Sequence, residues 1–88
     1  MRIIPRGELA ARLKAARQAS PHTQSSLAAQ LQVQQSAISA WEKGDYEPER
    51  ERWGDIAKAL GQTFEELFFY SADEEAALSA TDEQDPAA

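Results

Sequence analysis

No cysteine occurs among the 88 residues, which excludes disulfides, thiolate metal sites and a cysteine nucleophile. A single histidine, His22, cannot build a metal site alone, so no metal and no cofactor are expected. No apolar run approaches the ~20 residues that span a bilayer. The opening residues 1–7 lack the apolar core of a signal peptide, so a cytoplasmic protein is expected. Basic charge is also scarce: nine Lys and Arg face fifteen Asp and Glu, a net charge of −6. Such a balance argues against a nucleic-acid partner, because phosphate contacts carry much of the affinity. Its distribution removes the objection. All nine basic residues lie within residues 1–72, where nine acids balance them. The surplus is Asp73, Glu74, Glu75, Asp82, Glu83 and Asp85. The chain therefore divides into a neutral domain, residues 1–72, and an acidic C-terminal tail, residues 73–88, expected to be largely disordered.

What is present reads as five helices. Leu9, Leu13 and Ala16 share one face of a first helix over residues 8–19, stopped by Ser20 and Pro21. Thr23 is placed to cap a second, with Leu27, Ala28 and Leu31 inward and an end near Gln32. A third runs from Gln34 or Gln35 to Lys43, burying Ala37, Ile38 and Trp41, and Gly44 ends it. Pro48 precedes a fourth over Glu49–Leu60, with Trp53, Ile56, Ala57 and Leu60 inward. Thr63 caps a fifth, in which Phe64, Leu67 and Phe68 share a face. Beyond Ser71, helix is expected at most to about Leu78, with residues 80–88 unfolded. The pattern shows no strand signal, and the fold class is all-α.

Residues 24–43 carry the functional signal. A helix-turn-helix crosses two helices steeply, so a small side chain is needed at the crossing, and Ala28 supplies it. Ile38, ten residues later, fills the junction, and Val33 plugs the turn. At about 100° per residue, Ala37, Ile38 and Trp41 fall on one side of the third helix. Gln35, Ser36, Ser39, Ala40 and Lys43 fall on the other, a slim polar face without an acid. Such a face fits the major groove, and a glutamine near its N-terminus can pair with adenine N6 and N7.

With its TQ…LA…L.V..SAIS.WE.G pattern and the Pro, Ala and Leu positions of the fourth helix, the chain resembles the Cro/cI-like (XRE) family of phage and bacterial repressors over about residues 8–70. The resemblance implies a five-helix lambda-repressor-like domain. It also implies that Gln35, Ser36, Ser39 and Ala40 read bases. Gln24, Gln34, Lys43 and Arg50 would hold phosphates, and Arg17 would pair with Glu42 in a structural salt bridge. The glycine common at the turn is replaced here by Gln32, which must then accept a positive φ. The following loop, often basic, is Asp45-Tyr46-Glu47.

Phe68, Phe69 and Tyr70 are consecutive, and one helix face cannot bury all three. Phe68 is assigned to the core, and Phe69 and Tyr70 are expected to project outward as a homodimer interface. The function expected is a repressor of the double-stranded DNA-binding kind, acting on an inverted repeat. The alternative is an antitoxin or other protein-binding regulator whose acidic tail engages a partner protein. No nucleophile–base pair supports an enzyme.

Overall fold

The computed structural model describes residues 2–83, with side chains through Leu78. Its helices are α1 (Arg6–Gln18), α2 (Gln24–Leu31), α3 (Gln35–Lys43), α4 (Arg50–Ala59), α5 (Phe64–Phe68) and α6 (Ala72–Glu83). The fold is all-α, as expected, but with six helices among the described residues rather than five. α6 extends past Leu78 to Glu83; the expectation for residues 84–88 lies outside the described residues.

Local chemistry sets the boundaries. Thr23 and Thr63 each accept a hydrogen bond from the backbone N–H three residues on, and the side chains of Ser26 and Glu66 in turn accept one from the cap residue's own N–H. α2, α3 and α4 close in the same way. The residue after each helix, or one beyond it, takes a left-handed conformation, and two backspaced N–H groups satisfy the last carbonyls: Gln32 and Val33 to Ala29 and Ala28, Gly44 and Asp45 to Trp41 and Ala40, Gly61 and Gln62 to Lys58 and Ala57. Two of these pivots are glycine. The third is Gln32 at φ 58°, the one non-glycine residue with positive φ among those described.

α1 packs on α3 and α5, α2 on α3 and α4, and α4 on α5, around a core that includes Leu9, Leu13, Leu27, Ile38, Trp41, Trp53, Ile56, Leu67 and Phe68. Trp53 stacks on Phe68 with centroids 4.4 Å apart and the planes within 4°. Its indole N–H donates to the Pro48 carbonyl, so the buried ring leaves no orphan donor.

The N-terminal segment is the main addition to the expected fold. Ile3 pairs antiparallel with Phe69; the Ile4 N–H donates to the Phe68 carbonyl at 3.0 Å, and the Tyr70 N–H to the Arg2 carbonyl at 2.9 Å. Ile4 is thereby driven into the core, with 1% of its surface exposed. This pairing also corrects the aromatic assignments. α5 ends at Phe68 and the chain is extended at Phe69 (φ −124°, ψ 150°), so neighbouring side chains alternate in facing. Phe68 and Tyr70 therefore both point inward. Tyr70 is 8% exposed, and its hydroxyl donates to Glu8. Phe69 is half-buried, edge-on to Trp53 and Phe64. Of the aromatics in residues 64–70 it is Phe64, assigned by its spacing to the core, that is exposed, at 42%.

Ser71 and Glu74 form a further reciprocal cap at the start of α6, and Glu74 also takes both terminal nitrogens of Arg12 on α1, at 2.8 and 3.0 Å. Leu78 packs against the core. These contacts tie the first turns of α6 to the body.

Candidate nucleic-acid interface

The outer face of α3 begins at Gln34, its exposed N-cap residue, whose side chain makes no capping bond. Gln35, Ser36 and Lys43 are exposed, while Ser39 and Ala40 are half-buried. Behind them Ile38 and Trp41 are buried and Ala37 packs against the core, so the polar side of α3 is the side free to meet a ligand. The N–H groups of the first turn face the same end, where a helix favours anions.

The one acid of α3 does not disturb this face. Glu42 is turned inward, its side chain 5% exposed, and takes Arg17 Nε at 2.6 Å and Nη2 at 3.0 Å. Burial alone would push its carboxyl up. Hydrogen bonds from Arg17 and Gln24, with the charges of Arg17 and Lys14, outweigh that and hold it below its ordinary value. The same bond raises Arg17 against its own burial. The expected Arg17–Glu42 pair is thus present and joins α1 to α3.

From Glu42 a chain of contacts leads back to the outer face. Gln24 Nε2 donates to Glu42 at 3.1 Å, and Gln35 Nε2 points at Gln24 Oε1 at 3.4 Å. Ser25 Oγ donates to Gln35 Oε1 at 2.9 Å. Gln24 and Gln35, read from the sequence as phosphate and base contacts, are therefore side by side. Ser25 was missed. The signal lay in the register: residues 25 and 35 are separated by the same ten positions as Ala28 and Ile38, the pair that meets at the helix crossing.

A model of the helix-turn-helix family matches residues 13–67, more than half of the chain. The chain belongs to the Cro/cI-like (XRE) helix-turn-helix family. It is accordingly a DNA-binding helix-turn-helix regulator. A search of curated proteins and one of solved structures gave no significant match.

Within this regulator the two arginines after the loop, Arg50 and Arg52, both engage the protein itself. Arg50 lies over the Trp53 ring, its guanidinium carbon 5.1 Å from the centroid, and lines a groove of about 280 Å³ with Gly54, Phe64 and Phe69. Arg52 donates to the Leu31 carbonyl at the end of α2, at 3.4 Å. In the free protein Arg50 is thus drawn toward α5, whereas Gln24, Gln35 and Glu42 form one connected group. The loop residues Asp45, Tyr46 and Glu47 are all exposed, Tyr46 at 69%. Among the described residues no group of three or more His, Asp or Glu side chains could hold a metal ion, and no helix is long and apolar enough to cross a membrane.

Proposed function

We propose that this regulator is a repressor that binds an inverted-repeat operator as a homodimer, with α3 in the major groove. Gln35, Ser36, Ser39 and Ala40 face base edges, and Gln24, Gln34 and Lys43 hold the flanking phosphates. Arg50 joins them only if it leaves Trp53. The observation that carries the reading is the polarity of α3. Its outward side is slim and free of acid, and its single carboxylate is turned inward and neutralised by Arg17. A helix shaped in this way can approach bases without repelling the backbone.

Dimerisation sets two recognition helices about 34 Å apart, one helical turn of DNA. With Tyr70 in the core, support for a dimer comes instead from the exposed Ile3 and Phe64, each 42% exposed, beside the outer edge of Phe69. Sedimentation at tens of micromolar tests it: a monomeric mass argues against the dimer.

Selection from a random duplex library tests the function as a whole. An enriched palindrome, with binding that falls steeply as salt rises, supports operator recognition. Absence of enrichment at low salt contradicts it. The acidic excess of residues 73–88, six acids without a basic residue, favours one second reading, a protein-binding regulator that captures a basic partner through that segment. Tight binding to such a partner, lost on removing those residues, would favour it.

A further inference from the structure

We propose that Ser25 is a positioning residue for base recognition: its hydroxyl fixes the orientation of the Gln35 amide, and so sharpens the choice between adenine and guanine at the position that Gln35 reads. This rests on the reading of α3 as the recognition helix.

Hydrogen-bond direction is forced from Glu42 outward. An ionised carboxylate accepts and cannot donate. Glu42, held ionised by Arg17, therefore admits only the NH2 end of the Gln24 amide. That turns Gln24 Oε1 toward Gln35, where it can be met only by a donor, the Gln35 NH2 group at 3.4 Å. The other end of the Gln35 amide, Oε1, accepts from the Ser25 hydroxyl at 2.9 Å. Each contact is compatible with one orientation of the next group. The ion pair at the back of α3 thereby dictates which way the amide at its front points. The Gln24 contact is long and the Ser25 contact is short, so Ser25 is the firmer of the two restraints.

What the locked amide has left defines its ligand. Gln35 Nε2 keeps one N–H and Oε1 keeps one lone pair. Adenine presents N6–H and N7 in the major groove, a donor beside an acceptor, and both can be matched. Guanine presents two acceptors, O6 and N7, and the locked amide can satisfy only one. A free glutamine could turn its NH2 group toward guanine; a locked one cannot. Ser25 itself, in the first turn of α2, need not touch DNA for this effect.

Two measurements on the full chain test the lock. The first needs no DNA: side-chain couplings of Gln35 in the free protein should report one rotamer in wild type, averaging in Ser25→Ala, and one rotamer again in Ser25→Thr. An averaged Gln35 in wild type overturns the lock whatever the protein binds. The second compares duplexes carrying adenine or guanine at the base pair whose preference disappears in Gln35→Ala. Ser25→Ala should reduce discrimination there by about 2- to 10-fold, the worth of one neutral hydrogen bond. Preferences at other positions and the salt dependence should stay unchanged, and Ser25→Thr should restore the discrimination. Unaltered discrimination in Ser25→Ala, or an equal loss on every sequence, overturns the proposal. If wild type selects no duplex, operator recognition fails, and the rotamer measurement still decides whether the lock exists.

Discussion

Arg17 on α1 and Glu42 on α3 form a two-point ion pair at 2.6 and 3.0 Å, with side chains 14% and 5% exposed. Glu42 also receives Gln24, so one carboxylate joins the first three helices. Removing either partner leaves a desolvated charge without its counter-ion, so Glu42→Ala should cost about 3 kcal/mol of stability in urea unfolding. The carboxyl is held below its ordinary value, so its contribution is present at neutral pH and lost as pH falls through and below the ordinary carboxylate range. Replacing Arg17 and Glu42 together by apolar residues should cost much less than either single change. Equal costs for the single and double variants would contradict this.

The Arg12–Glu74 pair makes a pH-dependent tether for α6. The Arg12 guanidinium, assisted by the Ser71 backbone, lowers the Glu74 carboxyl from 4.5 to about 2. The depressed value means that the tether is intact above about pH 4.5 and is released as pH falls toward 2. Amide protection in residues 72–78, corrected for the intrinsic exchange rate at each pH, should fall over that interval in wild type. Arg12→Gln should show fast exchange already at neutral pH. Protection that does not change between pH 5 and 2 would show that Leu78 holds α6 alone.

Gln32 adopts the left-handed conformation that glycine takes at the ends of α3 and α4. Only the Cβ atom opposes this conformation, and the side chain is exposed. Gln32→Gly should therefore stabilise the protein by about 0.5–1 kcal/mol, a rise of a few degrees in melting temperature. A lowered melting temperature would mean that the glutamine side chain contributes more than its backbone costs.

Ile4 is more deeply buried than most helical core residues, although it belongs to no helix. Ile4→Ala should cost about 2–4 kcal/mol. Because the same segment pairs with residues 68–70, the loss should be accompanied by a change in the Trp53 fluorescence, since Trp53 stacks on Phe68. A cost below 1 kcal/mol would place the N-terminal pairing outside the folding unit.

Helix positions were legible wherever local chemistry decided them. Thr23, Gly44, Pro48 and Thr63 each act on their own backbone, and each marks the boundary that its chemistry predicts within two residues. The polar side of α3 follows from helical periodicity, and the Arg17–Glu42 pair from the family resemblance. The facing of Phe69 and Tyr70 is not legible in this way, because it depends on the chain leaving the helix at Phe69 to meet Ile3, a pairing between residues some 65 positions apart. The helical period of 3.6 gives way at Phe69 to the extended period of 2. The same limit hides Ile4, whose role arises only when distant segments meet, whereas Ser25 lies within reach of the ten-residue register that relates Ala28 to Ile38. α6 runs further than composition suggests for a related reason: Leu78 is its one large apolar residue, but the Ser71–Glu74 cap and the tether to Arg12 supply what composition could not show.

The most direct test of α3 as the reading helix is a titration of the duplex selected by wild type with wild type and Gln35→Ala, beside a scrambled duplex of equal length. Gln35 is exposed and makes no core contact, so the variant should melt as wild type does. The account predicts a loss of about 1–3 kcal/mol on the selected duplex and none on the scrambled one. Equal affinity of the two proteins for the selected duplex would contradict it, and would move the recognition surface away from α3.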